Sequence, residues 1–422
     1  MIFKKIKTHI SDPLMKNSYF LIGNSLLFAG VGFVFWIIAA RLYSTTEIGL
    51  GAAIISAMNF LSLFALLGFD ISIIHYLPLE KNKEKIINSS FLITILLGTI
   101  ISLIFLFGLE IWAPALISIK ENLFFCFFFV FFSVFCALSN LQISVFTGLR
   151  DAKYSFYQSL TNISRILVLP LFIALNAFGI FISFSLTFFL AFILGNKLII
   201  NVLPEYKFLK SININVIKKM FSYSFKNYIS NTFLRMPDFI LPLMVINTLG
   251  AEINAYFYIS WALSSILLTI PISTSKSLLA EGSYSPDLFK KNVYRSIKNI
   301  FLILILLILI ILLFGKYILL IFGENYSNNA YYVLILSALA SLPYSVNALY
   351  STIKRVKKEM NAVIIIYGCL VLFSIIFGYY FMHLFGLIGI GLAWLFSNII
   401  VLIIVFIDIK LISPLFKDHK NR

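Results

Sequence analysis

Long apolar runs alternate with short polar breaks along the whole chain, and some are apolar on every side: residues 301–314 read FLILILLILIILLF. A helix needs about 20 apolar residues to cross the hydrocarbon core of a bilayer. A run with no polar face is built for lipid rather than for a half-exposed soluble surface. A membrane β-barrel would read as segments of about 10 residues with alternating polarity, which is a different pattern. The runs therefore predict an all-α integral membrane protein of about twelve transmembrane helices. In the first half they fall near residues 18–42, 47–77, 88–110, 122–148, 154–176 and 178–200. In the second half they fall near 221–248, 251–279, 296–315, 328–350, 361–382 and 386–409.

Composition agrees: 61% of the 422 residues are hydrophobic and 12% charged, which excludes a soluble protein. The formal charge of +16 suggests nucleic acid until the positions of the 33 Lys and Arg are read. With the N-terminus inside, 25 of the 33 fall in cytoplasmic segments, among them Lys81–Lys85, Lys207–Lys219 and Lys354–Lys358. Outside segments hold only Arg41, Lys120 and Lys316. The positive-inside rule then puts both termini in the cytoplasm of a multi-pass protein of the cell (plasma) membrane, and the surplus charge serves topology and anionic lipid. No nucleic-acid partner is needed. The first run is too long for the h-region of a signal peptide and is expected to stay as an uncleaved anchor. Before it, Ile2, Phe3, Ile6 and Ile10 among Lys4, Lys5 and Lys7 suit either an interfacial helix ending at Pro13 or a basic tail. Cys126, Cys136 and Cys369 lie inside apolar runs without metal-ligand spacing to His, so they read as packing residues. No metal and no cofactor is expected. The outside segments are short, the longest near 111–121, which weighs against a membrane glycosyltransferase with an external catalytic domain.

A shift of 205 positions lays the first six spans on the last six, and lays Glu47 on Glu252, Lys85 on Lys290, Arg150 on Arg355 and Lys153 on Lys358. Six is even, so the halves enter the membrane from the same side and form a parallel internal repeat. The resulting division is a cytoplasmic N-terminal segment 1–17, an N-lobe 18–203, a cytoplasmic linker 204–220, a C-lobe 221–409 and a cytoplasmic tail 410–422. Two six-helix lobes are a transporter architecture, with substrate expected between them near mid-membrane.

Charge within a span costs about 2.5–3.5 kcal/mol on insertion scales, so each such residue is a functional candidate. Arg235 and Asp238 lie three residues apart near the middle of span seven, where they share a helix face and are placed to pair; Pro237 and Pro242 flank them. Arg165 sits at mid-depth of span five before Pro170 and has Asp70, Asp238 or an anionic substrate as its candidate partners. A guanidinium fork matches phosphate oxygens, and an Arg–Asp brace between helices is the structural alternative. Lys226 is a candidate phosphate ligand that also suits a snorkelling role. Asp70 and His75, toward the inner end of span two, are candidates for proton coupling. Under the 205-residue shift these charges do not recur, which points to one asymmetric site.

Several local patterns occur in order: Ala39-Ala40-Arg41-Leu42 through Glu47-Ile48-Gly49; Gly68-Phe69-Asp70 through Tyr76-Leu77-Pro78; Gly148-Leu149-Arg150; and Arg235-Met236-Pro237-Asp238 followed by Leu249-Gly250-Ala251 and Ala255-Tyr256. Together they make nearly the whole chain resemble the polysaccharide transporter branch of the multidrug/oligosaccharidyl-lipid/polysaccharide exporter superfamily, the O-antigen flippase type. The resemblance implies a flippase that carries a lipid-linked oligosaccharide, on a polyprenyl or dolichyl phosphate carrier, from inner to outer leaflet by alternating access. Arg165 and Arg235 match the basic cavity that it implies; Lys226 stands beside them as a candidate phosphate or sugar contact, and Asp70, His75, Pro237 and Asp238 are the candidate coupling or gating residues read from the chain itself. Expected partners are the lipid-linked substrate, membrane lipids and glycosyltransferases of the same pathway. The alternative within the superfamily is a sodium- or proton-coupled small-molecule or drug antiporter, with a membrane glycosyltransferase as a third reading.

Overall fold

A computed structural model describes residues 13–412 apart from 81, 211 and 285. The N-terminal residues 1–12, where an interfacial helix was one expectation, and residues 413–422 of the tail lie outside the described residues. The chain divides into two compact units at Tyr228/Ile229. Among the described residues ten helical stretches are long and apolar enough to cross a membrane, and Leu27–Leu42 adds a shorter apolar one. One of the ten, Lys153–Val202, is 50 residues long, more than a single crossing of about 30 Å can use. The protein is thus an all-helical, multi-pass membrane protein of about ten to twelve spans.

The first unit begins with α1 (Pro13–Leu42), α2 (Thr45–Leu66), α3 (Phe69–Tyr76) and α4 (Lys83–Phe107). Past the short α5 (Leu109–Trp112) and a 3-10 turn, Pro114–Ile119, comes α6 (Leu123–Gly148). Next are α7 (Lys153–Ser159), α8 (Ser164–Val168) and α9 (Asn176–Val202), followed by α10 (Ile214–Leu249), which runs across the division. α6 is the central helix, packing on α2, α3, α4 and α9. Apolar burial does not favour helix contact in lipid, so close approach of small residues takes its place. Gly49, Gly51, Ala52, Ala53, Ser56 and Ala57 of α2 are all buried, and a Cβ on Gly51 would lie 2.9 Å from the Cβ of Ile180. Ser44 and Glu47 start α2 with a capping box: the Glu47 N–H donates to Ser44 Oγ at 3.3 Å and the Ser44 N–H donates to Glu47 Oε2 at 2.7 Å.

Two expectations fail in this unit. Span two is not one helix, because Leu67 (φ 44°) and Gly68 (φ 80°) both take left-handed conformations and separate α2 from α3. A side chain on Gly68 would meet Tyr228 Cβ at 2.8 Å, so glycine permits both the turn and the approach of α10. Span five is not a regular α-helix either. α7 and α8 are short and alternate with 3-10 turns at Leu160–Ile163 and Leu169–Leu175. Ser and Thr hydroxyls bond back onto this backbone, Thr161 to Gln158 O and Ser164 to Thr161 O, both at 2.7 Å, and Pro170 lacks an N–H. The Tyr43 hydroxyl donates to Leu169 O at 3.0 Å. α10 starts at Ile214, within residues 204–220, and buries Met220 in the core of the first unit. The remaining loop is held by Asn88, which donates to Lys207 O at 2.8 Å and accepts from the Leu209 N–H at 2.9 Å.

The second unit contains α11 (Ala251–Tyr284), α12 (Pro286–Leu320), the short α13 (Glu324–Asn329), α14 (Tyr331–Val356), α15 (Met360–Phe385) and α16 (Leu387–Ile412). α14 is its hub, packing on α11, α12 and α16. Both hub helices, α6 and α14, have 26 residues and end alike. Arg150 and Lys358 take φ of 59° and 63°, and the next N–H reaches five residues back, Asp151 to Phe146 O at 3.0 Å and Glu359 to Lys354 O at 2.9 Å. A second feature also recurs. Asn176 (φ 52°, ψ −134°) opens α9, and Gly386 (φ 58°, ψ −135°) precedes α16. Three residues on, a Cβ on Gly179 would lie 2.0 Å from Phe172 O, and one on Gly389 would lie 2.0 Å from Phe381 O.

Gly179→Ala and Gly389→Ala are each expected to destabilise the protein by about 1–3 kcal/mol, because the carbonyl facing them is backbone and cannot rotate away. Gly30→Ala, with nothing within 4 Å of its Cβ, is the control expected to change little. Thermal unfolding of the three variants in detergent is the check. A second expectation concerns Tyr43, whose hydroxyl is pushed up to about 12 by burial and then by the charge of Glu47. The folded state keeps this proton where the unfolded state loses it. Its contribution is intact below about pH 10 and is lost as pH rises toward 12. Tyr43→Phe should flatten the fall in melting temperature over that range.

Candidate functional site

In the first unit, α8 and the turn before it bury Arg165 completely. Its Nη2 donates to Asn162 Oδ1, and its guanidinium carbon lies 4.2 Å from the ring centre of Phe184 and 5.2 Å from that of Phe28. Ring faces carry negative charge density, so this cage stabilises a cation away from water. The irregular helix matters here, since it sets Asn162 one tight turn before Arg165. The same unit also holds a chain of buried amides: Gln158 Nε2 donates to Gln142 Oε1 at 2.7 Å, and Gln142 Nε2 donates to Phe192 O at 3.1 Å. Arg165 is therefore held as part of the interior of this unit.

The other candidates of the first unit lie elsewhere. Asp70 occupies the first turn of α3, half-buried, where a carboxylate complements the free N–H groups of the helix start. His75 is exposed at the far end of the same helix, its ring 4.9 Å from that of Tyr76. Lys226 is exposed on α10.

The second unit holds Arg235, Pro237 and Asp238 on α10, which stays helical through Pro237 and Pro242. The expected direct pairing gives way to another partner: Trp261 Nε1 donates to Asp238 Oδ1 at 3.2 Å, and no ion pair within 4 Å joins Arg235 to Asp238 among the described residues. Pro237 is buried and Asp238 half-buried, whereas Arg235 is exposed. Lys276 of α11 is also exposed and lies within electrostatic range of Arg235.

One residue of this region was hidden in the sequence. Arg355 sits in the basic run 354–358 that reads as a cytoplasmic loop, yet α14 continues through it. Its Nη2 donates to Ser230 Oγ at 2.9 Å and to Asn231 Oδ1 at 3.3 Å, fixing α10 about one turn before Arg235. Its neighbour Lys354 is buried, with Nζ 2.8 Å from Glu359 Oε2 and 3.0 Å from Asp408 Oδ2. The cationic face of the second unit thus consists of Arg235 and Lys276, with Asp238 anchored on Trp261 and the helix held by Arg355. Such a face can bind an anionic, hydrogen-bond-accepting group and has no arrangement of nucleophile and base. No group of three or more metal-ligating side chains occurs among the described residues.

The sequence family described as polysaccharide biosynthesis protein matches residues 14–275, more than half of the chain. The chain belongs to that family. No curated protein matches its sequence. Its fold is that of the MOP superfamily of transporters. An inward-facing multidrug resistance transporter of the MATE family aligns with TM-score 0.71 at 16% identity, over 92% of this chain and 95% of the other. The lipid II flippase MurJ in an inward closed conformation aligns with TM-score 0.70 at 15% identity, over 93% and 87%. A MOP superfamily transporter from Pyrococcus furiosus, described as having a binding pocket of reverse polarity, aligns with TM-score 0.65 at 15% identity, over 94% and 95%. The family member described here shares the fold of these solved transporters.

Arg355→Met should destabilise this polysaccharide biosynthesis family member by about 1.5–3 kcal/mol, the usual value of hydrogen bonds to a charged group. Trp261→Phe, which keeps a ring and loses the donor to Asp238, should cost about 1 kcal/mol more than a swap at an exposed aromatic position such as Tyr380→Phe. Denaturant unfolding in detergent measures both.

Proposed function

We propose that the protein is a flippase that moves a lipid-linked oligosaccharide, carried on a polyprenyl or dolichyl phosphate, from the inner to the outer leaflet by alternating access. The observation that carries this reading is the exposed guanidinium of Arg235 at mid-span, beside Lys276, in a chain of the polysaccharide biosynthesis family. A carrier phosphate needs cations and hydrogen-bond donors while its lipid tail stays in the bilayer, and an Arg fork supplies both. Lys226 is a second contact on the same helix. Arg165, enclosed in the first unit, is a fixed interior charge of the transporter. Pro237, Asp238, Asp70 and His75 are its gating or coupling residues.

Twelve spans in two six-helix halves fit this role. The shared ends of α6 and α14, and the shared turns at Asn176 and Gly386, support a parallel repeat. The basic loops support cytoplasmic termini in the cell membrane. Glycosyltransferases that build the lipid-linked sugar on the inner face are the partners this activity requires. A second reading, an ion-coupled antiporter for drugs or other small molecules, draws on the half-buried carboxylate of Asp238 and on the fold shared with a multidrug transporter.

Proteoliposomes containing a fluorescent polyprenyl diphosphate oligosaccharide test the proposal. Wild type should translocate it, and Arg235→Ala should slow transport by about tenfold to a hundredfold, the equivalent of a lost charged hydrogen bond. Absence of transport by wild type, together with ion-driven efflux of cationic dyes that Asp238→Asn abolishes, would favour the antiporter.

A further inference from the structure

A cavity of about 310 Å³ opens on the first unit where α4 begins and α9 ends. This is the lower end of the range of small-ligand sites, about 300–1,000 Å³. The transport reading makes no use of it. Four of its lining residues are charged, two of each sign: Lys83, Lys85, Glu84 and Glu205. Pro204 and the buried Tyr206 supply an apolar wall. Glu84 Oε1 accepts the Lys207 N–H at 2.9 Å, which locks the loop that closes the cavity onto the start of α4.

The lining decides the class of ligand. A simple anion would face two carboxylates as well as two ammonium groups, and a simple cation the reverse. A ligand that carries both signs a short distance apart satisfies the whole set. The location narrows it further. α4 and α9 both cross the membrane, so their ends lie at headgroup depth. Phe208 is 44% exposed while its ring packs on Phe91 of α4 at 6.0 Å and Phe192 of α9 at 5.6 Å. Leu79, 71% exposed, precedes Asn82 of the cavity by three residues. These are apolar contacts for an acyl chain next to a charge-balanced pocket.

We propose that this cavity binds the zwitterionic headgroup of an ethanolamine phospholipid, with the phosphate on Lys83 and Lys85 and the ammonium on Glu205. A choline headgroup has no N–H to give the carboxylate, and a glycerol headgroup has no cation. The test is lipid binding to the purified full-length protein by native mass spectrometry, with phosphatidylethanolamine, phosphatidylcholine, phosphatidylglycerol and soluble glycerophosphoethanolamine as probes. The ethanolamine lipid should bind at least about fivefold tighter than the other three, the effect of one added ion pair of about 1 kcal/mol. Lys83→Ala/Lys85→Ala should weaken binding of all three phospholipids, which share the phosphate, and Glu205→Gln should remove the preference, neither changing the melting temperature. Glu205→Gln alters one exposed side chain, so its result stands if the double variant is unstable. Equal or tighter binding of phosphatidylglycerol, a preference that survives Glu205→Gln, or preferred binding of the soluble probe would overturn the assignment.

Discussion

Within hydrocarbon, every backbone N–H and C=O must find its partner inside the protein, and the rest of this structure depends on that constraint. It makes every long element a helix. It also decides where helices can break. Where α2 stops at Leu67 and Gly68, the Leu67 N–H returns to Phe64 O at 3.2 Å. Where the fifth apolar run winds into 3-10 turns, the hydroxyls of Thr161, Ser164 and Tyr43 take backbone carbonyls. Irregular backbone is confined to places where side chains replace the missing bonds, and one of those places sets Asn162 beside Arg165.

The same constraint is met twice along the chain. α6 and α14 are each followed by a basic residue in the left-handed conformation and then an acidic one, and the turns that open α9 and lead into α16 bring a glycine under a carbonyl of the preceding segment. The offset between equivalent positions grows from the 205 of the sequence comparison to 208 at the hub helices and 210 at the last turn. Charge does not follow the repeat. The first unit encloses its arginine between rings and amides, whereas the second exposes Arg235 and Lys276 and ties Asp238 to Trp261. Scaffold and chemistry are separable in this fold, which lets a common membrane frame serve different cargo.

The all-helical membrane class, and a count of spans near ten to twelve, were legible in the sequence because an all-apolar run of about 20 residues has one physical use. The break at Leu67 was not, since a single glycine in an apolar run reads as a packing residue until α10 is seen to lie against it. Pro170 marked the fifth run, but its 3-10 winding comes from hydroxyls bonding back to the chain. Arg235 and Asp238 stood out by their cost in a membrane, while the partner of Asp238 is Trp261, 23 residues away, which no local pattern indicates. Arg355 and Lys354 escaped notice because four basic residues within five positions look like a cytoplasmic loop. Only the length of α14 shows that both lie on a helix and face neighbours.

The central claim is that Arg235 faces a polar, substrate-binding space at mid-span. Cysteine accessibility tests it most directly: Arg235→Cys, in a background with Cys126, Cys136 and Cys369 replaced, treated with a water-soluble maleimide in native membrane vesicles. Leu309→Cys, on an exposed apolar stretch of α12, serves as the lipid-facing reference. The account predicts that position 235 is labelled, that position 309 is not, and that added lipid-linked oligosaccharide protects position 235. Labelling at 235 no faster than at 309 would contradict it, as would labelling at 235 that the lipid-linked sugar leaves unchanged.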